Sequence, residues 1–323
     1  MKVFASFFKK KGLFFFEIKN QKTSIRMAVS GAAAWGVGMG LRVGVGIATV
    51  GRAAVLGETL AELRRQVRPA DRVIVCGAAA EDVAGVEGAE CLIGPRGLTA
   101  QRNAVLAAAA DCDVLVFFDD DFLAAPGYLA AIERVFAAHD DVVAATGQVV
   151  ADGIKGPGLS AADGRALLRA DSGGDGMWEV YNAYGCNMAL RLVTLRAHGL
   201  VFDERLPLYG WYEDIDLCRR AARHGRIVHV AAARGVHLGT KLGRISGLRL
   251  GYSQMVNPVY LARKGSYTWG RAVRSMARNL AANLGRWLMP EPWVDRRGRL
   301  RGNVLGLVDL CRGRADPGRI LAL

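Results

Sequence analysis

The feature that most constrains this chain is an unbroken apolar run, Val114-Leu115-Val116-Phe117-Phe118, ending abruptly in Asp119-Asp120-Asp121. Consecutive apolar residues without alternation suit a strand buried on both faces, as in a parallel sheet. Such a strand obliges the rest of the chain to supply flanking strands and covering helices. Three carboxylates at its carboxyl end repel one another and resist desolvation. A divalent cation carrying phosphates would satisfy that charge. A solvated loop whose acids merely end the strand is the other reading of the same residues. A second acidic cluster, Glu213-Asp214-Ile215-Asp216, opens a helical pattern further on.

The surrounding pattern supplies the covering layers. Residues 43–50 predict a first strand. Leu56, Leu60, Leu63 and Val67 then recur at helical spacing until Pro69 stops the helix. Residues 72–76 read as a strand, 99–110 as a helix and 114–118 as the buried strand. A helix after Pro126 places Leu129, Ile132, Val135 and Phe136 on one face, and a strand follows at 142–147. This alternation predicts an α/β domain with a mostly parallel sheet, whose ligands bind beyond the carboxyl ends of the strands. Residues 151–177 are rich in Gly and Asp and predict a long loop, either functional or disordered. Structure is expected again at 185–190, in a helix over 213–223 and in a short strand at 227–230.

Charge is unevenly spread. Of the net +13, residues 1–26 carry +6 and residues 262–323 carry +9, while 27–261 stand at −2. A nucleic-acid enzyme carries its basic footprint on the catalytic body. Here the ends are basic, which excludes a nucleic-acid partner and suits an anionic membrane surface. The six cysteines are scattered and form no C-x-x-C pair, which fits a reducing cytoplasm. The first 26 residues differ from the rest in their Lys, Phe and Asn content. They form either a basic-aromatic arm or a segment outside the natural fold, with Met27 the start, and the break in composition favours the second. No run reaches the ~18–20 apolar residues that span a bilayer.

Familiar glycine motifs fail on inspection. Gly44-x-Gly46 lacks the third glycine of a dinucleotide fingerprint, and Arg52-Ala53 replaces the Lys-Ser/Thr of a phosphate loop. There is no G-x-S-x-G elbow. Simple dehydrogenase, ATPase and serine hydrolase chemistries are thereby excluded.

Six segments in order carry a different resemblance. They are Gly46-Ile47-Ala48-Thr49-Val50-Gly51-Arg52, Gly97-Leu98-Thr99-Ala100-Gln101-Arg102-Asn103, and Phe118-Asp119-Asp120-Asp121 with Pro126 behind it. Gly185-Cys186-Asn187-Met188, Phe202-Asp203-Glu204 with Trp211-Tyr212-Glu213-Asp214-Ile215-Asp216, and His237-Leu238-Gly239 complete the series. Over residues 42–264 the chain resembles the family 2 glycosyltransferases. The resemblance implies the GT-A fold, Rossmann-like with a mostly parallel central sheet, and inverting sugar transfer from a nucleotide-diphosphate donor. It implies a hydroxyl acceptor on a glycan or lipid-linked glycan, as in cell-surface polysaccharide synthesis.

The resemblance also assigns roles. Asp121 and His237 fall to a Mn²⁺ or Mg²⁺ ion, Asp119 to the metal or the ribose, and Asp120 points away. Thr49, Arg52 and Arg102 face the donor, with Arg102 balancing its phosphates. Asp214 is the base, with Glu213 beside it, and Trp211, Tyr212 and Asn187 face the acceptor. Arg220 is given packing or phosphate contact. The chain departs from the family after the second strand, where Val75-Cys76-Gly77-Ala78 stands in place of a base-recognising acid. Backbone groups or another side chain must then read the base.

The domain reading is an arm over 1–41, a catalytic domain over 42–240 and a basic helical extension over 241–323. In that extension Val273, Met276, Leu280, Leu284 and Trp287 share a helical face opposite Arg271, Arg274 and Arg278. Such a helix either caps the domain or lies on lipid. The expected location is cytoplasmic and peripheral on the inner face of the membrane. Two other functions stay open at this point: a sugar nucleotidyltransferase, and an inactive, membrane-docked nucleotide-sugar-binding protein.

Overall fold

A computed structural model describes residues 4–10, 13–20, 23–29, 40–241, 246–289 and 291–323. The chain divides into two compact units, Met1–Gly40 and Leu41–Leu323. In the first, β1 (Phe4–Lys10), β2 (Leu13–Asn20) and β3 (Thr23–Val29) pair as an antiparallel meander. Met27 falls within β3.

The second unit is built on a nine-stranded sheet. Its strands are β4 (Val43–Thr49), β5 (Arg72–Gly77), β6 (Glu90–Ile93), β7 (Val114–Asp119) and β8 (Phe122–Ala124). Then come β9 (Val142–Asp152), β10 (Met177–Glu179), β11 (Asn187–Arg191) and β12 (Arg226–His237). The order is β10-β12-β9-β11-β7-β4-β5-β6, with β8 paired to β12. Strands β4, β5, β6, β7, β9 and β12 share one direction, and β8, β10 and β11 oppose it. The expected mostly parallel α/β sheet is therefore present. The apolar run of β7 lies between β4 and β11 with every residue from Val114 to Phe118 buried.

Helices α1 (Ala53–Leu63), α2 (Leu98–Ala108) and α3 (Tyr128–Ala138) cover the sheet. The glycines of β4 serve this packing rather than a phosphate. A Cβ on Gly46 would sit 2.5 Å from Val105 of α2 and 3.0 Å from Phe117 of β7. The Gly97–Asn103 and Phe202–Glu204 segments dock on each other. Asn103 donates to the Phe202 carbonyl at 3.0 Å and accepts from the Phe202 amide at 2.8 Å, which holds the α2 turn in place.

Several expectations give way. Val67 is 73% exposed, because α1 ends at Leu63 and the chain turns before reaching it. The loop expected over 151–177 contains α4 (Ala161–Ala170), whose Ser160 cap accepts from the Asp163 amide at 3.1 Å. The strand expected at 227–230 runs on to His237. Its pairing with β9 shifts register between Val230 and Arg234, which hides the period from the sequence. Beyond α5 (Leu192–Ala197) and α6 (Glu213–Ala221), the chain ends in α7 (Gly247–Lys264), α8 (Trp269–Gly285) and α9 (Arg296–Cys311). Asp203 ties α7 to the sheet domain, accepting from Tyr260 at 2.6 Å and Lys264 at 2.5 Å.

Candidate active site

The parallel strands β4, β5 and β7 end together, with Ala48 level with Asp119 and Thr49 level with Gly77. At this edge Asp119 and Asp121 meet His237, the last residue of β12. One ligand atom from each lies within 4.8 Å of the others. His237 Nε2 is 3.3 Å from Asp121 and 3.9 Å from Asp119, while Nδ1 lies 2.9 Å from Asp152. The ring is thus fixed by a carboxylate on one side and turned toward the acidic pair on the other, as in metal-binding histidines.

Burial would raise the Asp121 carboxyl, but His237 and the Thr240 amide at 2.7 Å outweigh it and hold it down to about 2. Burial would lower His237, yet Asp121 and Asp152 push it up to about 10. Buried acids that need a cation of some kind, with one imidazole nitrogen aimed at them, make a donor set suited to Mn²⁺ or Mg²⁺. Gly239 lets the chain after His237 turn so that the Thr240 amide reaches Asp121. Its φ is +66° and a Cβ there would lie 2.3 Å from the Gly153 backbone.

Asp120 stands outside the Asp119, Asp121 and His237 cluster. It is buried, accepts from Thr49 at 2.8 Å and pairs with Arg52 at 2.9 Å, and burial pushes it up to about 6 despite Arg52. Thr49 and Arg52, expected at the donor, meet Asp120 and lock β4 to the end of β7. After β5, Asp82 accepts from the amides of Gly51 at 2.6 Å, Ala78 at 2.9 Å and Ala79 at 2.9 Å. Asp82 is thus engaged in shaping this loop.

Arg102 joins the two acidic clusters. It is 1% exposed, pairs with Glu213, and reaches Asp119 at 3.1 Å and the Gly185 carbonyl at 2.7 Å. The expectation that it balances phosphates gives way to this geometry, because its guanidinium faces protein acceptors on each side. Asp214 accepts from the amides of Ile215 at 2.7 Å and Gly185 at 3.2 Å. Burial raises both Glu213 and Asp214 above the ordinary carboxylate range, and their proximity raises Glu213 further.

Glu213, Asp214 and Asp216 all lie in the first turn of α6, where the helix dipole favours acids. Asp216 is fully buried and accepts from Ser266 at 2.6 Å, Lys264 at 2.8 Å and Arg220 at 3.0 Å. Those partners account for it, and Arg220 packs four residues along the same helix instead of reaching the site.

The acceptor residues divide. Trp211 and Tyr212 are half-buried beside Glu213, with ring centroids 5.0 Å apart. Tyr212 has φ +76°, a strained state for a bulky residue, and its hydroxyl bonds to Ser275 of α8. Asn187 is corrected: it is fully buried in β11, donating to Gly147 at 3.1 Å and accepting from Thr146 at 2.6 Å. It ties strands together and cannot face an acceptor. The sequence reading also missed Asp152 and Tyr184, which donates to Asp152 at 3.1 Å. Both sit at or beyond the loop misread at 151, so only knowledge of β9's true length would have found them.

Neither a family model nor a curated protein sequence matches the chain. Solved structures do. The mannosyltransferase PcManGT from Pyrobaculum calidifontis, in complex with GDP-Man and Mn²⁺, is 17% identical with a TM-score of 0.53, over 83% of this chain and 88% of that one. The fold is GT-A. S. aureus TarS 1-349, in complex with UDP-GlcNAc, is 15% identical with a TM-score of 0.52, over 88% and 84% of the chains. GalNAc-T7 with UDP, GalNAc and Mn²⁺ is 13% identical with a TM-score of 0.52, over 88% of this chain and 56% of that one.

Proposed function

We propose that this chain is a metal-dependent glycosyltransferase of the family 2 type. It moves a sugar from a nucleotide-diphosphate donor to a hydroxyl of a glycan or lipid-linked glycan, with inversion. The observation that carries the reading is the Arg102 bridge. It sets Asp119 of the metal-suited cluster and Glu213-Asp214 of α6 around one buried guanidinium, on a GT-A sheet. The neighbours of this fold include proteins solved with nucleotide sugars and Mn²⁺, which supports the same ligand class here.

Asp119, Asp121 and His237 would hold Mn²⁺ or Mg²⁺. Such an ion neutralises the charge that gathers on a departing diphosphate. Asp214 takes the proton of the acceptor hydroxyl as its oxygen bonds to the anomeric carbon. The bond from that carbon to the diphosphate oxygen breaks on the opposite side, and the diphosphate leaves with the electron pair. Arg102 is a positioning residue that holds Glu213, and with it the first turn of α6, beside Asp119. Trp211 and Tyr212 offer aromatic faces for a sugar. The basic ends suit action at the cytoplasmic face of a membrane.

Asp214→Asn tests the assignment. The Asn oxygen still accepts from the Ile215 amide and only the longer Gly185 contact is lost, so the fold, donor binding and metal binding should persist. Transfer should fall by about 10²–10⁴. Near-normal transfer in this variant would remove Asp214 from the role.

A further inference from the structure

Helix α8 packs the wrong way round for a domain cap. Its small and polar residues Ala272, Ser275 and Asn283 are the buried ones, and Asn283 donates to Gln254 of α7 at 2.9 Å and to Asn303 of α9 at 2.8 Å. Its apolar stripe is exposed at both ends, with Met276 and Leu280 half-buried between them. Trp269 is 54% exposed, Val273 61% and Leu284 57%, and Trp287 and Leu288 extend the stripe beyond the helix end. Arg274 and Arg278 are exposed on the side of the helix away from the stripe, and α8 contains no acidic residue.

We propose that this outward face of α8 is a docking surface for an anionic bilayer. A stripe of Trp, Val and Leu with exposed arginines on the other side of the same helix matches the apolar and charged layers of a membrane interface. A second copy of the chain fits less well, because α8 offers its own arginines no acidic residue to pair with across a two-fold contact. No described helix is long and apolar enough to cross a membrane, so the helix lies along the interface. Ser275, on the inner side of α8, bonds to Tyr212, the residue preceding Glu213. The docking surface and the candidate base segment are therefore adjacent in the fold. The docking inference stands on α8 alone; its bearing on a lipid-linked acceptor rests on the glycosyl-transfer reading.

Flotation of the full chain with phosphatidylcholine vesicles, with and without phosphatidylglycerol, tests it. The chain should float with the anionic vesicles at low salt and be released as salt rises. Arg274→Glu with Arg278→Glu should lower partition more than about tenfold, and Leu284→Ser with Trp287→Ser should lower it as well. All four positions are exposed, so circular dichroism should not change. No flotation at low salt, or equal flotation of the charge-reversed chain, overturns the proposal. So does a stripe that instead drives self-association lost in the serine variant. Nucleotide release measured on the same preparations separates the two readings, since docking without turnover sinks only the proposed function.

Discussion

His237 presents Nε2 to Asp119 and Asp121 because Asp152 holds Nδ1, so one residue without a motif sets the tautomer of the candidate ligand. Asp152→Ala should weaken Mn²⁺ binding by about 10–100-fold in a direct titration while the melting temperature changes little. Unchanged affinity would place the metal elsewhere. A second outcome concerns pH. As the proposed base, Asp214 would act only when unprotonated, and burial raises its pKa above the ordinary Asp value. The acid limb of the transfer rate should therefore lie above ~3.9, and moving down in pH through it should lose activity. An acid limb at or below the ordinary value would contradict the buried base. At this scale the acids were legible in the sequence because charge beside an apolar run is conspicuous. Asn187 and Arg102 were not, since their roles depend on which strand and which helix meet them.

At the scale of elements, strands and helices with clean periods were legible. The runs of β4 and β7 and the acidic opening of α6 stand out, because a buried parallel strand and a dipole-favoured first turn leave one-dimensional signatures. Helix α4 was hidden among Gly and Asp, and the far half of β12 by Ala231-Ala232-Ala233, which carries no alternation. Two loci test how the elements are joined. Gly239→Ala forces a left-handed side chain against the Gly153 backbone and should cost at least about 1–2 kcal/mol, read by denaturant unfolding, and loosen the Thr240 amide from Asp121. Asp203 is the second. Burial would raise its carboxyl, but Lys264 and Tyr260 hold it below the usual range. A depressed pKa gives stability that is present above the unfolded value of ~3.9 and lost as pH falls through the folded one. Asp203→Asn should thus cost about 1.5–3 kcal/mol at neutral pH, and the difference from the parent should shrink on acidification. A constant difference across pH would deny the ion pair its part in holding α7.

Across the whole molecule, charge and fold separate the tasks. The sheet gathers acids at one edge of its parallel strands, while the C-terminal helices carry the basic charge and an outward apolar stripe. The GT-A architecture was readable from ordered motifs, whereas the inside-out packing of α8 was not, because a helical stripe does not say which face meets the domain. The Asp119, Asp121 and His237 cluster is proposed to support sugar transfer from a nucleotide donor. The most direct measurement is nucleotide release from a panel of nucleotide sugars, with Mn²⁺ or Mg²⁺ and then with chelator, beside Asp121→Ala. A donor should turn over to nucleoside diphosphate with metal, stop in chelator, resume on metal return, and fail in the folded variant. Full turnover in chelator, or pyrophosphate as the product, would contradict it.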